Sequence, residues 1–337
     1  MKAVGFTCSH PIEHPESLLD LELPEPEGGD RDLLVEVRAV SANPVDCWIR
    51  ASSQAQSGPA TVVGMDAAGI VRHVGNVVSG FKPGDRVWYS GSFQRQGCSS
   101  EFHVVDERLV ARMPETLDFA EAAALPLTSI TAWELLFERM TVGRSDLAGG
   151  TLLVLGAAGG VGSVLVQLAH TLTDLRVIGT ASRQESVAWV KEMGADEVID
   201  HGQPLAPQLR TLGVEGVDFV ASLTQTDRNL PQLIDVLKPR GHFGLIDAPA
   251  PMDLRLFMNK NLSVHYEDMG MTTKSGPADE YTRHQRILQR IAGLVDRGAL
   301  RSTMRGSAQP INATCLREAH RLLEQGKSIG KIVLAGF

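Results

Sequence analysis

Cysteine is scarce in this chain and never clustered. Its four cysteines, Cys8, Cys47, Cys98 and Cys315, lie far apart in 337 residues with no C-x-x-C pair. That spacing argues against a structural zinc site and a disulfide framework, and it fits a reducing, cytoplasmic setting. Positive charge is also short: 32 Lys and Arg stand against 40 Asp and Glu, a formal net charge of -8. That balance favours neither nucleic acid nor an anionic membrane surface. Aromatics make up only 5% of the chain, and no aromatic–basic cluster suited to stacking bases is seen. Met1 to Phe6 holds one cation and a strand-like run, so no secretory signal is expected. The segment Leu152 to Ala169 is nearly uncharged and close to membrane-spanning length, but it is broken by glycines and Gln167. It reads as a buried α/β unit rather than a membrane span. There is no internal repeat and no low-complexity tract.

What is present is an ordinary globular composition, 43% hydrophobic and 21% charged, over a length that suggests two domains. The first part is β-rich. Leu33–Val40 alternates like a half-buried strand, Ala67–Val74 does so more loosely, and Lys82–Trp88 places a Pro-Gly-Asp turn before another strand. Glu101–Val105 and Leu109–Met113 continue the pattern, so a barrel-like domain is expected. Phe119–Leu125 and Ser129–Met140 read as helices. From Thr151 strand and helix alternate, with strands at 152–155, 176–181, 197–199, 217–223, 242–246 and 262–266. Helices are expected over Glu185–Met193 and Leu230–Leu237, and the whole implies a parallel doubly wound sheet. A polar loop then precedes a helix with the stripe Ile287, Ile291, Leu294, Val295. Helix Cys315–Glu324 and strand Lys331–Leu334 follow, and this tail returns to the first domain.

The most informative stretch is Thr151 to Ser163, TLLVLGAAGGVGS, where an apolar run ends in a glycine-rich turn that opens an apolar helix. Free N–H groups and the dipole at a helix start attract a dinucleotide pyrophosphate, and small residues let the backbone approach it. In the register G-x-G-x-x-G the second and third places are Gly159 and Gly162, and Ala157 holds the first. A tight strand-to-helix turn without a ligand is the plain alternative. After the second sheet strand an NAD enzyme places Asp or Glu on the ribose hydroxyls. Here Ser182 and Arg183 stand there, and a hydroxyl with a guanidinium suits a 2′-phosphate. NADP(H) is therefore expected, with Arg183 discriminating. Ser182 also reads as a cap for the next helix.

The motifs NPVDCWIR (43–50), VVGMDAAGIV (62–71), FKPGDRVW (81–88), AAALPLTSITAWE (122–134), LGAAGGVGS (155–163) and GKSIGKIVL (326–334) span the chain. Together they resemble the medium-chain dehydrogenase/reductase superfamily, most closely its quinone oxidoreductase branch and the zinc-type alcohol dehydrogenase-like proteins. The resemblance implies an α/β fold: a GroES-like β-rich catalytic domain (1–126 and 271–337) plus a Rossmann domain (127–270) with a six-stranded doubly wound parallel sheet. It implies an active site in the cleft between the two domains, and often a homodimer. It also implies that Asn43 and Asp46 line the nicotinamide and substrate site, with Trp48 where the family often has Tyr. Trp keeps aromatic stacking on a flat acceptor but has no acidic O–H. Thr131 would lie near the nicotinamide, Ala158, Gly159, Gly160 and Val161 over the pyrophosphate, Asp247 and Ala248 by the carboxamide, and Gly330 and Lys331 back at the cofactor. Asp46 reads equally well as a helix cap, and Lys331 as a solvated edge charge.

Where zinc relatives carry Cys and Gly-His-Glu, this chain has Asn43 and Gly64-Met65-Asp66. Neither Asn43 nor Met65 is a zinc ligand, and Asp66 reads as a hydrogen-bonding group. Cys47 is expected to be buried and Cys98 to sit in a mobile loop. No metal is expected. The expected reaction is metal-free hydride transfer from NADPH to a quinone or α,β-unsaturated carbonyl. Tyr89 and His103 are proton-donor candidates by type only, with water as the alternative. The rival readings are a zinc-type alcohol dehydrogenase and an NADPH-binding sensor protein with little catalysis.

Overall fold

The computed structural model describes residues 1–52, 59–143, 149–247, 251–277 and 280–337. The chain divides into two compact units, Met1–Ile130 with Gly270–Phe337, and Thr131–Met269.

The first unit begins with β1 (Lys2–Phe6), β2 (Leu19–Glu22), β3 (Asp32–Ser41), α1 (Pro44–Ser52), β4 (Thr61–Val62) and β5 (Asp66–Val74). It continues through β6 (Arg86–Ser90), β7 (Phe102–Asp106), β8 (Val110–Arg112) and α2 (Phe119–Ala123). β1 pairs antiparallel with β2 and β4. β3 organises a larger antiparallel sheet, with β5 on one side and β7 along the first half of the other. Its alternation works as the sequence predicts: Leu33, Val35 and Val37 point into a core with Val71, Val87, Tyr89 and Leu109. α2 starts on a reciprocal cap, Glu121 N–H to Asp118 at 2.8 Å and Asp118 N–H to Glu121 at 3.1 Å.

α3 (Pro126–Trp133) runs on into a wider helical turn over Glu134–Arg139, as the helical composition of 129–140 predicts. The second unit then alternates β9 (Thr151–Leu155), α4 (Gly160–Leu172), β10 (Arg176–Thr180), α5 (Gln184–Glu192), β11 (Glu197–Ile199) and α6 (Leu205–Thr211). β12 (Val217–Ser222), α7 (Thr226–Val236), β13 (Leu237–Leu245), α8 (Arg255–Met258) and β14 (Ser263–Tyr266) complete it. The six strands are parallel in the order β11-β10-β9-β12-β13-β14. Leu152 to Leu155 are all buried, the continuous apolar run of a strand covered on both faces. The order reverses between β9 and β12, so the crevice for a ligand opens at the C-terminal ends of those strands. α7 starts four residues before its expected beginning at Leu230, because a distant carboxylate, that of Asp247, binds its first N–H.

The tail adds α9 (Met271–Lys274), α10 (Thr282–Asp296), α11 (Ala313–Glu324) and β15 (Val333–Ala335) to the first unit. The predicted stripe of α10 is buried, and Gln285 on the same helix donates to Val110 O at 2.8 Å. β15 pairs antiparallel with the second half of β3, Val333 opposite Ser41. Among the described residues no helix is long and apolar enough to cross a membrane.

Candidate active site

In the first unit four distant segments meet on one buried polar cluster. β3 ends at Ser41, Asn43 precedes α1, Asp66 opens β5, and Lys331 precedes β15. The Lys331 ammonium donates to Ala42 O at 2.9 Å, Asn43 Oδ1 at 2.5 Å and Asp66 Oδ2 at 3.2 Å. Asn43 Nδ2 donates to the same Asp66 oxygen at 2.8 Å, and Ser41 Oγ does so at 2.9 Å. Asp66 Oδ1 accepts the Leu127 N–H at 2.7 Å. Lys331 is 3% exposed, so the reading of a solvated edge charge is overturned. Its three donors are all taken inside this cluster, as burial of an ammonium requires.

Asp46 sits beside the cluster on α1. It is the third helical residue and not the cap; its Oδ2 reaches back to accept the Asn43 N–H at 2.8 Å. Its other oxygen, Oδ1, is buried without a hydrogen-bond partner among the described residues. Burial, helped by the neighbouring Asp66 charge, pushes its pKa up to about 7, against the lowering pull of the Asn43 N–H, the Lys331 charge and a weaker backbone contact from Met65. A carboxyl that titrates there can hold or release a proton near neutrality. Trp48, on the same helix, is 60% exposed.

Cys47 is buried, and burial pushes its thiol up to about 12. Cys98 lies in a loop, as expected, but is buried there; its thiol donates to Asp66 O at 3.1 Å, and burial holds it well above the usual range. Tyr89 and His103 are locked together in the barrel core by a 2.9 Å bond between the hydroxyl and Nδ1.

In the second unit the glycine loop has the expected strand–turn–helix form. The residue with left-handed backbone is Gly156, at φ +80°, so the tight turn falls one place before Ala157. Gly162 is needed for close packing: a Cβ there would lie 2.4 Å from Gly156 O. Gly159 precedes the first turn of α4, where the N–H groups of Gly160 and Val161 have no helical acceptor. Ala158, in the turn, is buried.

Ser182 and Arg183 follow β10 and are exposed. The capping position of α5 belongs to Arg183, with no side-chain capping bond, so Ser182 is not the helix cap. Asp247 follows β13; its two oxygens accept from the Thr226 N–H at 2.9 Å and the Thr226 hydroxyl at 2.5 Å. Ala248 lies outside the described residues. Thr131 is buried in α3, and Gly330 is buried next to Lys331. Sequence reasoning named Asn43, Asp66 and Lys331 separately and missed their union, along with Ser41 and Leu127. No local pattern joins them, because they lie up to 290 positions apart.

Known proteins bear on this geometry. A family model described as alcohol dehydrogenase GroES-like domain matches residues 29–115, and one described as zinc-binding dehydrogenase matches 193–334. A zinc-type alcohol dehydrogenase-like protein of Staphylococcus epidermidis is 35% identical over 339 residues, 99% of each chain. Quinone oxidoreductase of Homo sapiens is 30% identical, over 94% of this chain and 92% of its own. A crystal structure from Rhizobium etli CFN 42, of zinc-dependent alcohol dehydrogenase type, superposes with a TM-score of 0.95 at 49% identity, covering 100% of this chain and 98% of that one. The zinc in these descriptions does not fit the residues here. By the resemblance Met65 takes the histidine position, both polar atoms of Asn43 are engaged, and a lysine ammonium already sits on the carboxylate of Asp66.

Proposed function

This chain belongs to the medium-chain dehydrogenase/reductase superfamily, and we propose that within it the protein is an NADPH-dependent reductase of quinones or α,β-unsaturated carbonyls that needs no metal. The observation that carries this reading is the Lys331 ammonium, bonded to Asn43 and Asp66 in place of a divalent ion. A charge fixed by three hydrogen bonds cannot take an alcohol oxygen as an open zinc position would. Quinones and enones do not need that help, since their conjugation delivers charge to an oxygen that only has to be protonated.

The glycine loop of the second unit fits the pyrophosphate, with Gly160 and Val161 offering backbone N–H groups at the start of α4 and Gly159, whose N–H donates to Gly156 O at 3.1 Å, leaving room for the backbone to approach it. Thr131, Ala158, Asp247, Ala248, Gly330 and Lys331 keep the cofactor-binding assignments carried by the resemblance. For Lys331 and Asp247 the hydrogen bonds above make that role one of positioning. Ser182 and Arg183, exposed after β10, are the groups we assign to a 2′-phosphate. Bound there, the reduced coenzyme supplies a hydride. We assign Asp46 to hold the proton, on the unpartnered Oδ1, while Oδ2 stays with the Asn43 N–H. Asn43 positions Lys331 and Asp66, and the exposed indole of Trp48 suits a flat acceptor.

A second copy of the chain is the partner we propose. The edge strand β14 exposes Val264 and Tyr266, and α8 just before it exposes Leu256 and Met258, apolar area that a dimer would cover. Four free thiols suit a reducing cytoplasm.

The test is turnover. NADPH oxidation is followed with benzoquinone, phenanthrenequinone and a simple enone, beside oxidation of primary and secondary alcohols. Reduction of a quinone or enone without alcohol activity supports the reading. Alcohol oxidation that rises with added zinc would overturn it, and tight NADPH binding with no turnover would favour a sensor.

A further inference from the structure

We infer that the loop joining β1 and β2 carries a site for a borderline divalent transition ion of the zinc type, held by His10, His14 and Glu16. The segment reads HPIEHPE, two histidines four apart, each followed by proline. One ligand atom from each of the three side chains lies within 4.8 Å of the others, and among the described residues this is the single such grouping of His, Cys, Asp or Glu. The two imidazoles are stacked, 4.0 Å between centroids and 13° apart in plane. Two imidazoles and a carboxylate suit zinc and its neighbours in the transition series better than magnesium or calcium.

The backbone of this loop is held in place by hydrogen bonds. Its carbonyl at His10 accepts from Arg50, which is 1% exposed. The His14 N–H donates to Pro11 O at 3.0 Å, and the Ser17 N–H to His14 O at 3.0 Å. The Arg317 guanidinium binds Pro15 O at 3.0 Å from α11. A backbone held at these points leaves only side-chain rotation for binding, and His14 and Glu16 are exposed to meet an ion from solvent. The one bond at stake is a 3.2 Å contact from the Glu16 N–H to His14 Nδ1, whose donor can return to water. The ion would staple the loop that packs on α1 and α11. This site is separate from the Asn43–Asp66–Lys331 cluster, so zinc found in the protein does not by itself signal an alcohol dehydrogenase.

The experiment is calorimetric titration of EDTA-stripped full-length protein with zinc chloride, beside thermal melts with and without zinc. One ion per chain and a raised melting temperature are expected. His14→Ala should weaken binding at least tenfold and remove the melt shift while leaving the metal-free melting temperature unchanged, and Glu16→Gln should weaken binding less. Absence of binding at millimolar zinc, or binding that both variants leave intact, overturns the assignment.

Discussion

The Lys331 ammonium lies 3.2 Å from the Asp66 carboxylate, with the two side chains 4% and 0% exposed. A buried pair of this kind is asymmetric in its energetics: its net contribution is small, while loss of one partner strands a charge. Lys331→Met should therefore destabilise the protein by about 3 kcal/mol, the low end for such a loss, because Ser41, Asn43 and Leu127 still donate to Asp66. The double variant with Asp66→Asn should recover part of that. Urea unfolding measures both, and a double variant no more stable than Lys331→Met would contradict the pairing.

Arg183 should separate the two coenzymes. If its guanidinium binds the 2′-phosphate by charge-assisted hydrogen bonds, Arg183→Ala removes roughly 1.5–3 kcal/mol of NADPH affinity, about ten- to hundredfold. NADH affinity should stay where it was. Fluorescence titration with each coenzyme reads this directly, and equal losses for both would end the assignment.

Two glycines of the loop should behave differently. Gly162→Ala forces a Cβ to 2.4 Å from Gly156 O, so the turn must open and the second unit should lose stability. Gly159→Ala meets nothing closer than 3.4 Å in the free protein. It should leave the melting temperature within a degree or two and weaken the coenzyme instead, because the methyl stands where phosphate approaches. Similar melting losses for both variants would count against a cofactor loop.

Stability should fall in acid. Burial lowers His103 from 6.5 to about 4 and His320 from 6.5 to about 3, so the unfolded chain binds these protons first as pH drops. Their contribution to stability is present above pH 6.5 and is lost on acidification below it. Asp46 has the opposite sign. Its folded value of about 7 against 3.8 means the folded state binds the proton first, and its contribution is lost as pH rises through that window. Burial lowers His201, His242 and His265 in the same direction, so below pH 6.5 five histidines oppose Asp46 and the urea midpoint should drop toward pH 5. His320→Leu should flatten that drop and Asp46→Asn should steepen it. A midpoint that rises between pH 6.5 and 5 would show the reverse balance.

Much of the fold was legible because it rests on short-range periodicity. Alternation in Leu33–Val40 gave β3 nearly to its ends, and the apolar run Leu152–Leu155 followed by glycines gave β9, the turn and α4. The six parallel strands followed from repeated strand–helix alternation. Less legible was the start of α7, which depends on Asp247 some twenty residues on, and the true place of the positive-φ turn at Gly156.

The sequence by itself determined which chemistry is on offer: a glycine turn at a helix start, Ser182 and Arg183 in place of an acidic residue, and Asn43 and Met65 in place of metal ligands. These are properties of residue type at a fixed local spacing. Only the tertiary structure decided that Lys331 is buried on Asn43 and Asp66 and that Asp46 Oδ1 has no close hydrogen-bond partner among the described residues. Hydrogen bonding of a buried charge is set by whichever distant segments the folded core brings within 3 Å or so, and no window of neighbouring residues contains that information.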